Sequence, residues 1–192
     1  VPWFVAWIDD EPDFRIIGTG KIGEAVEYRR CWICGDTLGG FVAYTIGAMC
    51  AVNRVSAEPP SHRECAIYAA RACPFLSKPN AKRRTAKMPD EVVDLPGEAL
   101  RRNPGVALVW VTRDKIKRIR TTDGYLFYVG KPVETLWYRE SRAATRAEVE
   151  ASIESGAPTL RGLAQAEGER ALADLRKMLA DAEQYLPEED AA

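Results

Sequence analysis

Two rhythms of apolar and polar positions divide this chain. Short aromatic and β-branched runs dominate the first three quarters, and from Thr145 apolar side chains recur every three or four residues. WFVAWI (residues 3–8) predicts a strand ended by the Asp-Asp-Glu-Pro turn. KIGEAVEYRR (21–30) predicts a short helix or turn, and FVAYTIG (41–47), behind Gly39-Gly40, predicts a hairpin arm. Pro59-Pro60 halts that segment. Ser61-His62-Arg63-Glu64 has the spacing of a capping box, with Ser61 capping and Glu64 reaching back, for a helix through CAIYAARAC that stops at Pro74.

Prolines and charge mark residues 77–104 as an irregular connection. A second β unit follows over 105–140: GVALVWVT (105–112), a basic connection (113–124), YLFYVG (125–130) and a further candidate strand, VETLWY (133–138). Thr145 to Glu148 is another capping box, Gly156 reads as a helix C-cap, and Pro158 restarts the chain. ALADLRKMLADAEQYL (171–186) is amphipathic at helical spacing. Trp3, Trp7, Trp32, Trp110 and Trp137 are expected in the core. No internal repeat is present.

Composition narrows the class. The 192 residues are 46% apolar and 29% charged, typical of a soluble globular chain, and no apolar run is long enough to cross a membrane. The N-terminal apolar patch has no basic lead and no small-residue cleavage site, so it predicts a buried strand and not a secretion signal. Net charge is −1, which conceals an asymmetry. Thirteen Lys/Arg face five Asp/Glu between Arg71 and Arg120, whereas eleven Asp/Glu face four Lys/Arg from Ala147 to the end.

Five cysteines, at 31, 34, 50, 65 and 73, are an odd number without a secretion signal. They point to reduced thiols in a bacterial cytoplasm, where clustered cysteines bind metal more often than they cross-link. Cys31-x-x-Cys34-Gly makes a tight turn with both sulfurs on one side. His62-x-x-Cys65 opens a helix, where residues three apart share a face. A knuckle, a hairpin and a helix donating two ligands is the arrangement of a treble-clef zinc finger, and Cys31, Cys34, His62 and Cys65 suit a structural, tetrahedral Zn²⁺. A variant in which Cys50 or Cys73 replaces a ligand stays open; core packing is their ordinary role. Arg29, Arg30 and Arg63 lie beside the ligands and could offset the negative charge of the site. The fold class expected is α+β: a zinc-organised, treble-clef-like unit (1–76), the connection 77–104, an antiparallel β unit (105–140) and C-terminal helices (141–192), in one compact domain.

Catalytic readings meet a shortage. His62 is the sole histidine, and once a metal takes it no imidazole remains for a nuclease base or a Ser-His or Cys-His scheme. A zinc deaminase would use His-x-Glu before Pro-Cys-x-x-Cys, but here the order is reversed and Cys65 would fill the position water needs. A zinc-dependent hydrolase or deaminase is thus a third reading. Binding stands ahead of it. The stretch Arg113, Lys115, Lys117, Arg118 and Arg120, with Lys82, Arg83, Arg84 and Lys87 as a second basic loop, is a candidate nucleic-acid contact if Trp110, Tyr125 or Tyr128 lies nearby. A protein partner is the first reading, with the acidic, Leu-rich tail either covering the basic unit or docking a second chain.

The stretches CWICGDTLGG, IGAMCAVNR, EPPSHRECAIYAARACPFL, NPGVALVWVT and ATRAEVEASIESG resemble, in this order, a family of uncharacterised bacterial and prophage-encoded proteins. The resemblance implies a zinc-binding Cys/His set and a phage or bacterial context, and no reaction. Together these features predict a non-catalytic, zinc-stabilised accessory or regulatory protein that binds a protein partner.

Overall fold

The computed structural model describes residues 1–78, 81–82, 96, 103, 105–122 and 124–189. Its strands are β1 (Val5–Ile8), β2 (Glu11–Ile17), β3 (Val42–Gly47), β4 (Val55–Ser56), β5 (Ala107–Thr112), β6 (Lys117–Thr121), β7 (Gly124–Tyr128), β8 (Pro132–Arg139) and β9 (Arg142–Ala143). The helices are α1 (Lys21–Glu27), α2 (Ala48–Asn53), α3 (Arg63–Ala72), α4 (Pro74–Ser77), α5 (Arg146–Glu167) and α6 (Glu169–Ala182), with a 3-10 turn at Glu183–Tyr185. The class is α+β, with antiparallel sheets, a Cys/His cluster in the N-terminal region and helices at the C-terminus.

The organising element is β5. All six of its residues are buried, which explains a run that is apolar from Ala107 to Val111 in place of an alternating one: both faces of the strand are covered. It sits inside the sheet β3-β5-β8-β9. Register sets two cores. Ile46, Leu108 and Trp137 align on one face with Tyr44 and Trp110, and this face packs beneath Phe127, Val129 and Val149. Ala43, Ala107, Val109 and Val111 form the other face, against Ala66 and Ala70 of α3. Because side chains alternate, a one-residue slip of β5 would exchange the two cores.

Two further sheets flank this one, the ribbon β1-β2 and the sheet β4-β7-β6. The tail helices do not lie on the basic strand. They pack on α2, where Val52 meets Ala164, Leu175 and Ala182. Below them the chain returns across the main sheet: the Tyr185 carbonyl accepts from Trp137 Nε1 at 2.8 Å, and the Arg54 guanidinium lies over the rings of Trp110 (5.0 Å) and Tyr185 (4.7 Å).

Several local expectations fail for identifiable reasons. FVAYTIG forms no hairpin with its chain neighbour, because β3 runs straight into α2 and pairs with the distant β5. The Asp-Asp-Glu-Pro segment does not end the β structure: Asp9 and Asp10, both at positive φ, make the turn, and Glu11 and Pro12 begin β2. The basic connection contains a strand, β6, paired with β7. Gly156 and Pro158 interrupt nothing. Helix α5 runs through both, because the stripe Val149, Ser152, Ala157 and Ala164 is buried, and Gly156 approaches Met49 so closely that a Cβ would sit 2.7 Å from its side chain. Tertiary packing outweighs the missing N–H of Pro158. Trp7 is 61% exposed and not a core residue. Arg83, Arg84, Lys87 and most of 77–104 lie outside the described residues.

Candidate metal centre

The Cys31-x-x-Cys34 turn closes as its spacing requires. Gly35 N–H donates to the Cys31 carbonyl (2.9 Å), Cys31 N–H donates to the Asp36 carbonyl (2.7 Å), and Arg30 pairs with Thr37 across the turn. Gly35 is required twice over. Its φ is +81°, and a Cβ there would lie 2.5 Å from the Trp3 ring. The knuckle rests on aromatic packing: Trp32 is buried and stacked on Phe4 with ring centres 4.7 Å apart.

α3 is brought to the knuckle by backbone pairing, not by a capping box. Ser61 exchanges two hydrogen bonds with Ala43 of β3 (2.7 and 2.8 Å), and Trp32 N–H donates to the Pro60 carbonyl. His62 is the N-cap, without a side-chain cap bond, and Glu64 pairs with Arg63 instead of reaching back. The expected box fails because the Ser61 backbone is drawn into the bridge with β3. The outcome for chemistry is the one anticipated: His62 and Cys65 face the two knuckle sulfurs.

The ligand atoms of Cys31, Cys34, His62 and Cys65 all lie within 4.8 Å of one another. His62 Nδ1 is 3.4 Å from Cys34 Sγ. A tetrahedral metal with ordinary S and N bond lengths sets its ligand atoms about 3.6–3.8 Å apart, so the cluster could close on one ion with shifts of about 1 Å or less. The far ring nitrogen, Nε2, is 3.2 Å from the Thr37 carbonyl. That contact places the proton on Nε2 and leaves the Nδ1 lone pair toward the sulfurs, the tautomer a metal needs. Thr37 contributes through its backbone, so no side-chain pattern could have announced it.

The electrostatics favour a cation. Burial opposes ionisation of Cys31, but the backbone N–H groups of Cys34, His62 and Ile33 outweigh it and bring this thiol down to about 7. Cys65 is pushed up to about 12, by burial first and then by the neighbouring Cys31 sulfur. Burial, together with Cys31, also raises Cys34. One thiolate forms readily, and its charge holds the next two back. A divalent ion at the centre reverses that repulsion.

The three nearby arginines do other work. Arg29 and Arg30 donate to the Gly39 and Gly35 carbonyls (2.9 and 3.1 Å) and so brace the loop. Arg63 is engaged by Glu134 of β8 through Nε and Nη2 (2.6 and 2.7 Å), tying α3 to the main sheet. This last pair joins residues 71 positions apart and had no signal in the sequence. Cys50 and Cys73 are outside the cluster: Cys50 packs against the main core, where burial pushes its thiol up, and Cys73 caps the C-terminus of α3.

The basic residues take a different place. Arg113, Lys115, Lys117, Arg118 and Arg120 are all exposed, the last three on β6 at the outer edge of its sheet. Trp110 is fully buried and cannot stack on a ligand, whereas Tyr125 and Tyr128 are exposed on β7. Among the described residues no helix is long and apolar enough to cross a membrane. No family model, no curated protein and no solved structure matches the chain.

Proposed function

We propose that the four-donor cluster binds a structural zinc ion and that the protein is a non-catalytic accessory or regulatory factor acting through an interface with a protein partner. The observation that carries this reading is the make-up of the cluster: three sulfurs and the sole histidine bring four donor atoms within 4.8 Å of one another, the number a closed tetrahedral zinc takes. A catalytic zinc keeps a vertex for water or substrate, and here that vertex belongs to Cys65. Glu64, the residue a deaminase would use for proton transfer, is 79% exposed at its side chain and paired with Arg63, which argues against that third reading. The phage or bacterial origin and the reducing compartment belong to the same proposal, the latter supported by five free cysteines.

The surface that supports a protein partner is the ribbon β1-β2. Trp7 pairs directly with Pro12, and Phe14 follows on β2 where the register of the ribbon shifts. Trp7 and Phe14 are 61% and 62% exposed. Aromatic residues of this size on an open ribbon are the anchors from which protein interfaces take most of their binding energy.

Absorption spectroscopy at the zinc edge on the purified protein tests the closure. The expected shell is three sulfurs at about 2.3 Å and one nitrogen at about 2.0 Å. An oxygen in that shell would refute a purely structural site. Co-purification of a stoichiometric protein, lost on Trp7→Ala with Phe14→Ala while zinc content stays at one per chain, tests the interface; undiminished binding by that double variant would reject this surface.

A further inference from the structure

We propose that the outer end of the β6-β7 ribbon is a platform for single-stranded nucleic acid, with Arg118 and Arg120 on the phosphates and Tyr125 stacking on a base. This surface is separate from both the metal centre and the β1-β2 face, so it stands whether or not the protein-partner reading does.

Strand pairing places the three side chains together. Arg120 is directly opposite Tyr125 and Arg118 directly opposite Phe127, so all four share one face of the ribbon. Phe127 is fully buried and anchors the inner end of that face in the main core, where Ser56 of β4 pairs with it. Toward the outer end the same face is open: Arg118 and Arg120 are exposed, and Tyr125 is 41% exposed. A rigid base thus carries a cationic, aromatic tip.

Among the described residues no ion pair engages Arg118, Arg120, Lys117, Lys115 or Arg113, whereas Arg15, Arg63, Arg139, Arg142 and Arg146 are paired with carboxylates. The Arg118 guanidinium lies over the Tyr125 ring, 5.1 Å from its centre, so the cation and the aromatic stand together at this end of the ribbon. Successive side chains on one face of a strand stand about 6.8 Å apart, which lets Arg118 and Arg120 meet different backbone groups of an extended strand. A ribbon reading a duplex major groove would present polar side chains to base edges. An exposed aromatic on a sheet surface is instead useful to a base already out of its stack.

Charge alone would not distinguish this from an edge strand that carries Lys and Arg merely to prevent sheet extension. The tyrosine separates the two. The test is fluorescence anisotropy on the full, zinc-loaded chain with labelled mixed-sequence ten-nucleotide DNA and RNA, a hairpin duplex of equal length and polyglutamate. We expect binding of the single strands, with DNA and RNA distinguished by their relative affinity, and weaker binding of duplex and polyglutamate. Arg118→Ala with Arg120→Ala should reduce the slope of log affinity against log salt by about 1.4, two contacts at about 0.7 each. Tyr125→Ala should weaken binding about tenfold while Tyr125→Phe preserves it. Lys117→Ala, on the opposite face, should matter less. No binding, equal binding of duplex or polyglutamate, or a Tyr125→Ala variant as tight as the parent would each overturn the proposal; circular dichroism confirms that these surface variants remain folded.

Discussion

If the cluster holds zinc as proposed, withdrawal of the metal should release α3 and the knuckle from the sheet. Besides the cluster, the knuckle is held by the buried Trp32 on Phe4, and α3 by the Ser61–Ala43 bridge, by Ile67 and by the Arg71–Ser141 bonds. The fully buried side chains of α3 are two alanines, Ala66 and Ala70, and burying each methyl contributes about 0.8 kcal/mol. Ordering ten residues costs about 1 kcal/mol or more per residue in backbone entropy, and an isolated helix of that length is marginal in water. The Arg63–Glu134 pair adds little, because both side chains are more than a third exposed. A structural zinc ion supplies about 10–16 kcal/mol of apparent binding free energy, comparable with the whole stability of a domain. Chelation, or Cys34→Ser, is therefore expected to remove hydrogen-exchange protection from residues 31–38 and 63–72. It should also expose Val109 and Val111, abolishing a cooperative thermal transition. Hydrogen exchange read by mass spectrometry, with and without a strong chelator, follows both effects. If the metal-free protein kept protected amides in α3 and melted within a few degrees of the loaded one, the zinc-held account of this fold would be wrong.

Other substitutions separate the smaller contributions. Gly35→Ala forces a left-handed backbone costing about 1–2 kcal/mol, besides the collision with Trp3, and should lower zinc affinity in a competition titration. Glu134→Gln should cost no more than about 1 kcal/mol in chemical denaturation and leave zinc stoichiometry unchanged; a loss of several kcal/mol would mean the clamp matters more than its exposure implies. Glu148, held by Arg142 and by the Thr145 N–H, titrates at about 2 in the folded protein, well below the usual carboxylate range. A depressed carboxylate stabilises above its unfolded value and loses that contribution as pH falls toward 2. The melting-temperature gap between the parent and Glu148→Gln should therefore be full at neutral pH and close between about pH 4.5 and 2; a gap that widened on acidification would contradict this.

How much of this was legible depended on the range of the forces involved. The Thr145 box reads correctly because both of its bonds are local: the Thr145 hydroxyl accepts from Glu148 N–H at 3.3 Å, and the Glu148 carboxylate accepts from Thr145 N–H at 2.9 Å. Ser61 offers the same letters and fails, because Ala43, 18 positions earlier in the chain, takes its backbone. Cysteine and histidine spacing reads well, since the ligands come as two short-range pairs. What joins the pairs does not: the Thr37 carbonyl has no letter of its own, and Glu134 is distant in the chain.

By itself the sequence determined the chemical inventory: one imidazole, two candidate ligand pairs at workable spacing, a largely apolar strand run at 105–112, a basic stretch from 113 to 120, and helices after residue 145. These depend on side-chain type and on contacts within a few positions, where the chain has little choice. The tertiary structure alone decided that β3 pairs with β5 and not with its neighbour, that α5 ignores Gly156 and Pro158, that the tail covers α2 and leaves β6 open, and that Trp7 faces outward. In the first three of these, burial against a distant element outweighs a local preference of at most a few kcal/mol, and such partners come together only when the whole chain folds.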